Sequence, residues 1–200
     1  PEMKILDDWQ IQVSINGVSA ALEIEPAEQI TVVDEKIGNL PLHNQRAAQY
    51  SRGWKLAGVR CCECTVRHAM DPDSLIVRLS PGAEPLKRGQ DYEAELSWGC
   101  LGRLEGGVIS PQTAVFVSYR YGKMRLDSAV LTASGQIELR KGASHVSLPQ
   151  PPTPGAGETR LGNIWISAAD RKLNESMLFP ILETSYPEMA ETSPAIAGQL

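Results

Sequence analysis

Cys61, Cys62 and Cys64, with His68 four residues further on, are the densest group of side chains in this chain that could bind a metal or do redox chemistry. A zinc site usually presents two separated cysteine pairs, or a cysteine pair and a histidine pair. Read as one extended strand, Val59 to His68 puts Cys62, Cys64, Val66 and His68 on one face and Cys61, Glu63, Thr65 and Arg67 on the other. Three ligands on a straight strand do not surround one ion, so no metal is assigned. Cys61, Cys62, Cys64 and the distant Cys100 read first as free thiols that pack as small hydrophobes. A disulfide to Cys100 and a metal site stay open as alternatives. Adjacent Cys61 and Cys62 point to opposite faces, which disfavours a bond between them.

The other groups with catalytic chemistry are scattered. Glu93 and Glu95 share a strand face and superficially resemble an acid/base pair, but neighbouring carboxylates on a strand are usually solvated. His43, His68 and His145 are isolated from one another, and none of the phosphate-loop, zinc-protease, dinucleotide or nucleophile-elbow patterns occurs. Tyr119-Arg120-Tyr121-Gly122-Lys123 mixes rings with bases, as a single-strand nucleic-acid platform would. The rings alternate with Arg120 and so lie on the opposite face from its charge, and the pI near 5.3 points away from nucleic acid. No catalytic residue and no cofactor are assigned.

The elements that must position these groups read as strands. Trp9 to Ile15 alternates apolar and polar, Asn16-Gly17 is a strong type I′ turn signal, and Val18 to Ile24 returns as the second strand of a hairpin. Ile30–Val33, Leu75–Leu79, Asp91–Trp98, Thr113–Tyr121, Leu126–Leu131 and Gln136–Leu139 follow, with turn chemistry at Asp71-Pro72-Asp73, Ser80-Pro81-Gly82 and Ser134-Gly135. Gly99 to Pro111 reads as a glycine-rich loop, and 39–53 has no clear pattern. Glycine and proline number 17 and 14 in 200 residues, which favours turns over long helices. The expected fold is all-β: a sandwich-like body of antiparallel strands with an extended, proline-rich C-terminal arm carrying at most one short helix, capped by Asp170.

Charge divides the chain further. Residues 1–40 carry a net −6, residues 41–146 a net +4 and residues 147–200 a net −3. The corresponding expectation is an acidic hairpin segment (1–40), a sandwich-like body (41–146) and a proline-rich connector (147–200). Complementary patches of this kind steer association between modules or subunits. In the connector, Trp165, Met177, Phe179, Ile181 and Tyr186 have too little surrounding chain to build a core of their own and are the candidate interface residues. No apolar run reaches the ~18 residues of a membrane span, so membrane insertion is not expected. The acidic start, Pro1 to Asp8, has no hydrophobic run, which reads as synthesis in a cytoplasm.

Gly89-Gln90-Asp91-Tyr92-Glu93, Trp98-Gly99-Cys100-Leu101-Gly102-Arg103-Leu104 and Tyr119-Arg120-Tyr121-Gly122 with Leu126-Asp127-Ser128 resemble β-rich modules of bacteriophage tail fibres and baseplate-associated proteins. Pro149 to Pro154, Gly157 to Trp165 and Leu178 to Thr184 are similar to the connector that leads such modules into a fibre or receptor-binding part. The resemblance covers roughly residues 75–188. It implies a non-enzymatic virion component, located in the tail, that forms homo-oligomers and contacts other tail or baseplate proteins and a downstream fibre or receptor-binding protein. Similar modules precede GDSL-type esterases, but Leu126-Asp127-Ser128-Ala129 is not a Gly-Asp-Ser-Leu block. The alternative is therefore a carbohydrate- or surface-binding module serving a separate hydrolase, with Trp54, Trp98, Tyr119 and Tyr121 as a ring platform.

Overall fold

The computed structural model describes residues 1–181. It is all-β and antiparallel, with short 3-10 turns as its only helical elements among these residues. No helix among them is long and apolar enough to cross a membrane.

The chain begins as a three-stranded meander, β1 (Glu2–Asp7), β2 (Gln10–Ile15) and β3 (Val18–Glu23). Asn16 and Gly17 both take positive φ, 49° and 81°, so Ile15 pairs directly with Val18. This is the twist-matched turn that Asn-Gly favours. Ile11, Val13 and Leu22 point inward from this sheet.

The next hundred residues form a separate unit. Its strands are β4 (Glu28–Ile37), β5 (Trp54–Lys55), β6 (Arg60–Cys61), β7 (Cys64–Thr65), β8 (Ile76–Arg78), β9 (Tyr92–Glu95), β10 (Cys100–Arg103) and β11 (Val115–Lys123). They make two three-stranded sheets, β4-β11-β8 and β5-β10-β9, plus the small β6–β7 hairpin. Ile37, Leu56, Val59, Val77, Leu101, Val115 and Val117 fill the core of this unit. Strand β10 lies inside the stretch that reads as a glycine-rich loop. Gly99, at φ 57°, supplies the reversal, and Gly102 lets the strand approach the chain at His43, where a Cβ would sit 2.7 Å from backbone atoms.

The chain then returns to its start. β12 (Arg125–Leu131), β13 (Ile137–Arg140), β14 (Thr159–Ile166) and β15 (Leu178–Pro180) form a sheet in the order β13-β12-β14-β15. Ala129, Ile137, Leu161, Ile164, Ile166 and Leu178 pack against Ile11, Val13 and Leu22, so the first strands and the last described strands make one sandwich. Strand β4 of segment 1–40 thus lies in the second core, whereas β12 and β13 of segment 41–146 and β14 and β15 of segment 147–200 lie in the first.

The proline-rich run, residues 149–157, has no strand and folds back along its own sheet. Pro149 is buried, the Pro152 carbonyl accepts from Arg160, and Glu158 pairs with Arg140. Ser128 and Val130 of β12 are fully buried, although Val130 belongs to neither of the two large apolar clusters. Beyond the run the chain re-enters regular structure at Thr159. The expected helix capped by Asp170 is instead a single 3-10 turn at Glu175–Met177, where the Asn174 side chain accepts from Ser176 N–H at 3.1 Å.

Both passages between sandwich and inserted unit lie side by side, where Glu28 pairs with Lys123. Arg125 sits next to them, fully buried. Its guanidinium makes a two-pronged pair with Asp127, at 2.7 and 3.0 Å, and also donates to the carbonyls of Glu25 (2.7 Å) and Pro26 (3.4 Å). Asp127 accepts in addition from Gly142 N–H at 2.8 Å. A buried charge is tolerated only when its hydrogen-bonding capacity is met in this way.

Candidate functional site

The polar chemistry of the described residues concentrates in the inserted unit. His43, Gln45, Arg52, Arg88, Glu93, Ala94 and Glu95 line an open pocket of about 370 Å³. Glu93 and Glu95 come from β9, whose alternation turns Tyr92 and Ala94 into the core and leaves the carboxylates outside. Arg52 reaches in from the segment before β5 and pairs with Glu95, while Arg88 pairs with Glu93 at 2.6 Å. The His43 side chain is only 2% exposed, and neither ring nitrogen has a hydrogen-bond partner. Its Nε2 is 4.0 Å from Glu95 Oε1, beyond hydrogen-bond reach.

Burial pushes the Glu93 carboxyl up, but the hydrogen bonds from Arg88 and from Ala94 N–H, with the charges of Arg88 and His43, outweigh it and hold Glu93 below the usual range. A general acid at neutral pH needs the opposite shift. The pocket therefore offers donors and acceptors for a small polar molecule, with its two carboxylates already met by guanidinium groups. The sequence pairs Glu93 with Glu95 but reads them as solvated and His43 as isolated, and does not single out Arg52 or Arg88, because only the tertiary fold around β5-β10-β9 brings positions 43, 52 and 95 together.

The thiols lie in the same unit and are free. Val59 to His68 is not one strand: the chain reverses at Cys62-Glu63, and Cys61 pairs with Cys64 across the resulting hairpin. The reversal overturns the expected division of faces, because residues directly opposite on paired strands share a face. Cys61 and Cys64 are half-buried and Cys62 is exposed at the turn. Cys61 Sγ lies 4.0 Å from Cys62 Sγ, and contact with Cys61 pushes the Cys62 thiol up. Cys100 is buried, with its Sγ 3.3 Å from the Tyr50 carbonyl, and burial raises its thiol as well. Among the described residues no three His, Cys, Asp or Glu side chains converge as metal ligands.

A second cleft, about 340 Å³, runs between the inserted unit and the Ala168–Arg171 loop of the sandwich, lined by His68, Met70, Asp71, Leu96 and Ser97. Asp71 is held below its usual range first by its hydrogen bond from Arg120, at 2.6 Å, against the opposing effect of burial. His145 has a structural part: its Nδ1 accepts from Ser147 and Leu148 N–H at 3.1 and 2.9 Å.

Of the ring platform, Tyr119 is buried. Its hydroxyl donates to Glu35 at 2.7 Å and accepts from Gly58 N–H at 2.8 Å, and burial raises its pKa strongly. Trp54 is 40% exposed, and Trp98 packs edge-on to the exposed Tyr50 at 5.7 Å. The interface candidates also separate. Phe179 and Ile181 are 51% and 42% exposed, and Trp165 is partly exposed on the outer face of β14. Met177 is corrected to a core residue: the turn capped by Asn174 rolls it inward beside Leu173 and Leu178. Tyr186 lies outside the described residues.

No family model, curated protein or solved structure matches this chain.

Proposed function

We propose that this chain is a non-enzymatic structural protein of a bacteriophage tail, a β-rich module that joins copies of itself to neighbouring tail or baseplate proteins. The observation that carries this function is the exposure of Phe179 on β15, the edge strand of its sheet among the described residues, and of Ile181 just beyond it. Two large exposed apolar side chains at a sheet edge favour contact with another protein surface. The residue-level resemblance over 75–188 includes this strand. Glu93 and Glu95, the carboxylates that share the outer face of β9, are each engaged by an arginine, which suits a structural part better than a catalytic one.

Sedimentation of the full chain tests it. The expected result is an oligomer that becomes a monomer of unchanged circular dichroism in Phe179→Asp/Ile181→Asp. A chain that stays monomeric at all concentrations and does not bind isolated phage tails would overturn it.

A second function, carbohydrate or surface binding beside a separate hydrolase, is favoured by the exposure of Trp54 and Tyr50. Glycan-array binding lost in Trp54→Ala would support it.

A further inference from the structure

We propose that Cys61 and Cys64 form a reversible dithiol–disulfide couple whose reaction partner is a small-molecule disulfide of the glutathione class. The two residues are cross-strand partners flanking a two-residue turn, and their side chains leave the hairpin on the same face. Residues at the two ends of a β-turn have Cα atoms less than ~7 Å apart, and laterally paired strand residues lie about 4.5–5.5 Å apart. A disulfide asks for about 4.4–6.8 Å. The competing pairs do not meet that demand. Cys61 and Cys62 bring their Sγ atoms to 4.0 Å, but as chain neighbours their Cα atoms are about 3.8 Å apart across a trans peptide, below the disulfide range. Cys100 is buried beneath Tyr50 and Trp98, with its Sγ directed at both their carbonyls, so an oxidant in solution does not reach it.

The turn itself points to the same chemistry. Cys62 has φ 53°, whereas Glu63 does not have positive φ, which places Cys62 at the position that glycine normally occupies in a type II′ turn. A side chain there is strained. The hairpin is also held from outside, because Lys55 donates to the Glu63 carbonyl, so the two thiols are kept opposed and not left to a mobile loop. Cys61 and Cys64 remain half-buried, open enough for exchange.

In the forward reaction one thiolate of the pair attacks the reagent RSSR and expels RS⁻, leaving a mixed disulfide. The second thiolate then attacks the protein sulfur of that intermediate and expels the other RS⁻. One S–S bond is broken in the reagent and one is formed in the protein. The two thiol protons end on two RSH, the cysteines are oxidised and the reagent is reduced. Excess RSH reverses both steps.

The test uses the full chain incubated with oxidised glutathione, followed by intact mass and peptide mapping. The expected product has lost two hydrogens, carries a 61–64 bridge, and returns to the dithiol with reduced glutathione. Cys62→Ser and Cys100→Ser should keep the bridge. Cys64→Ser, with its circular dichroism checked, should accumulate a glutathione adduct instead. A bridge that includes Cys62 or Cys100, adducts on the wild-type chain without any bridge, or only intermolecular disulfides would each overturn the proposal.

Discussion

The sandwich made from the first and last described strands and the unit inserted between them satisfy their backbones differently. In the sandwich, long ladders such as β12–β14 pair seven residues with one register shift, and its one buried ion pair, Arg125–Asp127, sits at the junction. The inserted unit has one long ladder, β4–β11, which pairs eight residues, but its other strands span only two to four residues, three 3-10 turns interrupt them, and polar side chains finish the hydrogen bonding. Tyr119 bridges Gly58 and Glu35, and the Ala57 N–H donates to the same carboxylate. All four cysteines and two of the three histidines lie in the inserted unit. Regular ladders leave little backbone to be met by side chains, while broken ones demand polar groups and hold them in place.

The strongest way to break this division is at the junction. Arg125→Met leaves Asp127 and the Glu25 and Pro26 carbonyls without their donor and should cost about 3–5 kcal/mol by denaturant titration. Arg125→Met/Asp127→Leu should recover most of that loss, since no unpaired charge remains. Ile164→Ala in the sandwich core and Leu101→Ala in the inserted core should each cost about 2–5 kcal/mol. Calorimetry decides whether the cores are independent: each variant is expected to move its own transition, and a single shared transition moved by both would erase the distinction. Tyr119→Phe removes the acceptor of the part-buried Gly58 N–H and the donor to Glu35 and should cost about 1 kcal/mol, confined to the inserted unit's transition.

The smallest expected effect is on pH. Asp71 and Glu93 hold their protons less firmly when folded than the usual carboxyl does, so the unfolded chain takes up more protons on acidification. Their contribution is complete above about pH 5 and is lost as pH falls through their lowered folded values. Both groups lie in the inserted unit, whose midpoint should therefore fall in acid; Asp71→Asn and Glu93→Gln should each flatten that slope.

Local chemistry made the hairpins legible. Asn16-Gly17 and Ser134-Gly135 specify their turns through positive φ at Asn16, Gly17 and Gly135, and the alternation in β9 and β11 survives into the structure. Partnership over long distances did not show. Nothing near Leu161 or Ile164 indicates that they face Ile11 and Val13, because apolar residues on a strand carry no address for the opposing sheet. The Cys62-Glu63 reversal was hidden for a different reason: neither residue is a usual turn former, so period-two reading ran straight through it. His43 was illegible as a site residue because its setting depends on Gly102 leaving room for it and on Arg52 and Glu95 arriving from two other segments.

The insertion also sets an order of events at the ribosome. Strands β1 to β3 are made first, yet most of the apolar surface that covers them lies between Ala129 and Leu178. At synthesis rates of about 5–20 residues per second, that partner surface is complete roughly eight to thirty seconds after β3 emerges. Until then Ile11, Val13 and Leu22 stay uncovered, while the inserted unit, whose sequence is continuous, has time to fold. Slowing translation after residue 123 should therefore lower the yield of native protein more than slowing it before residue 28.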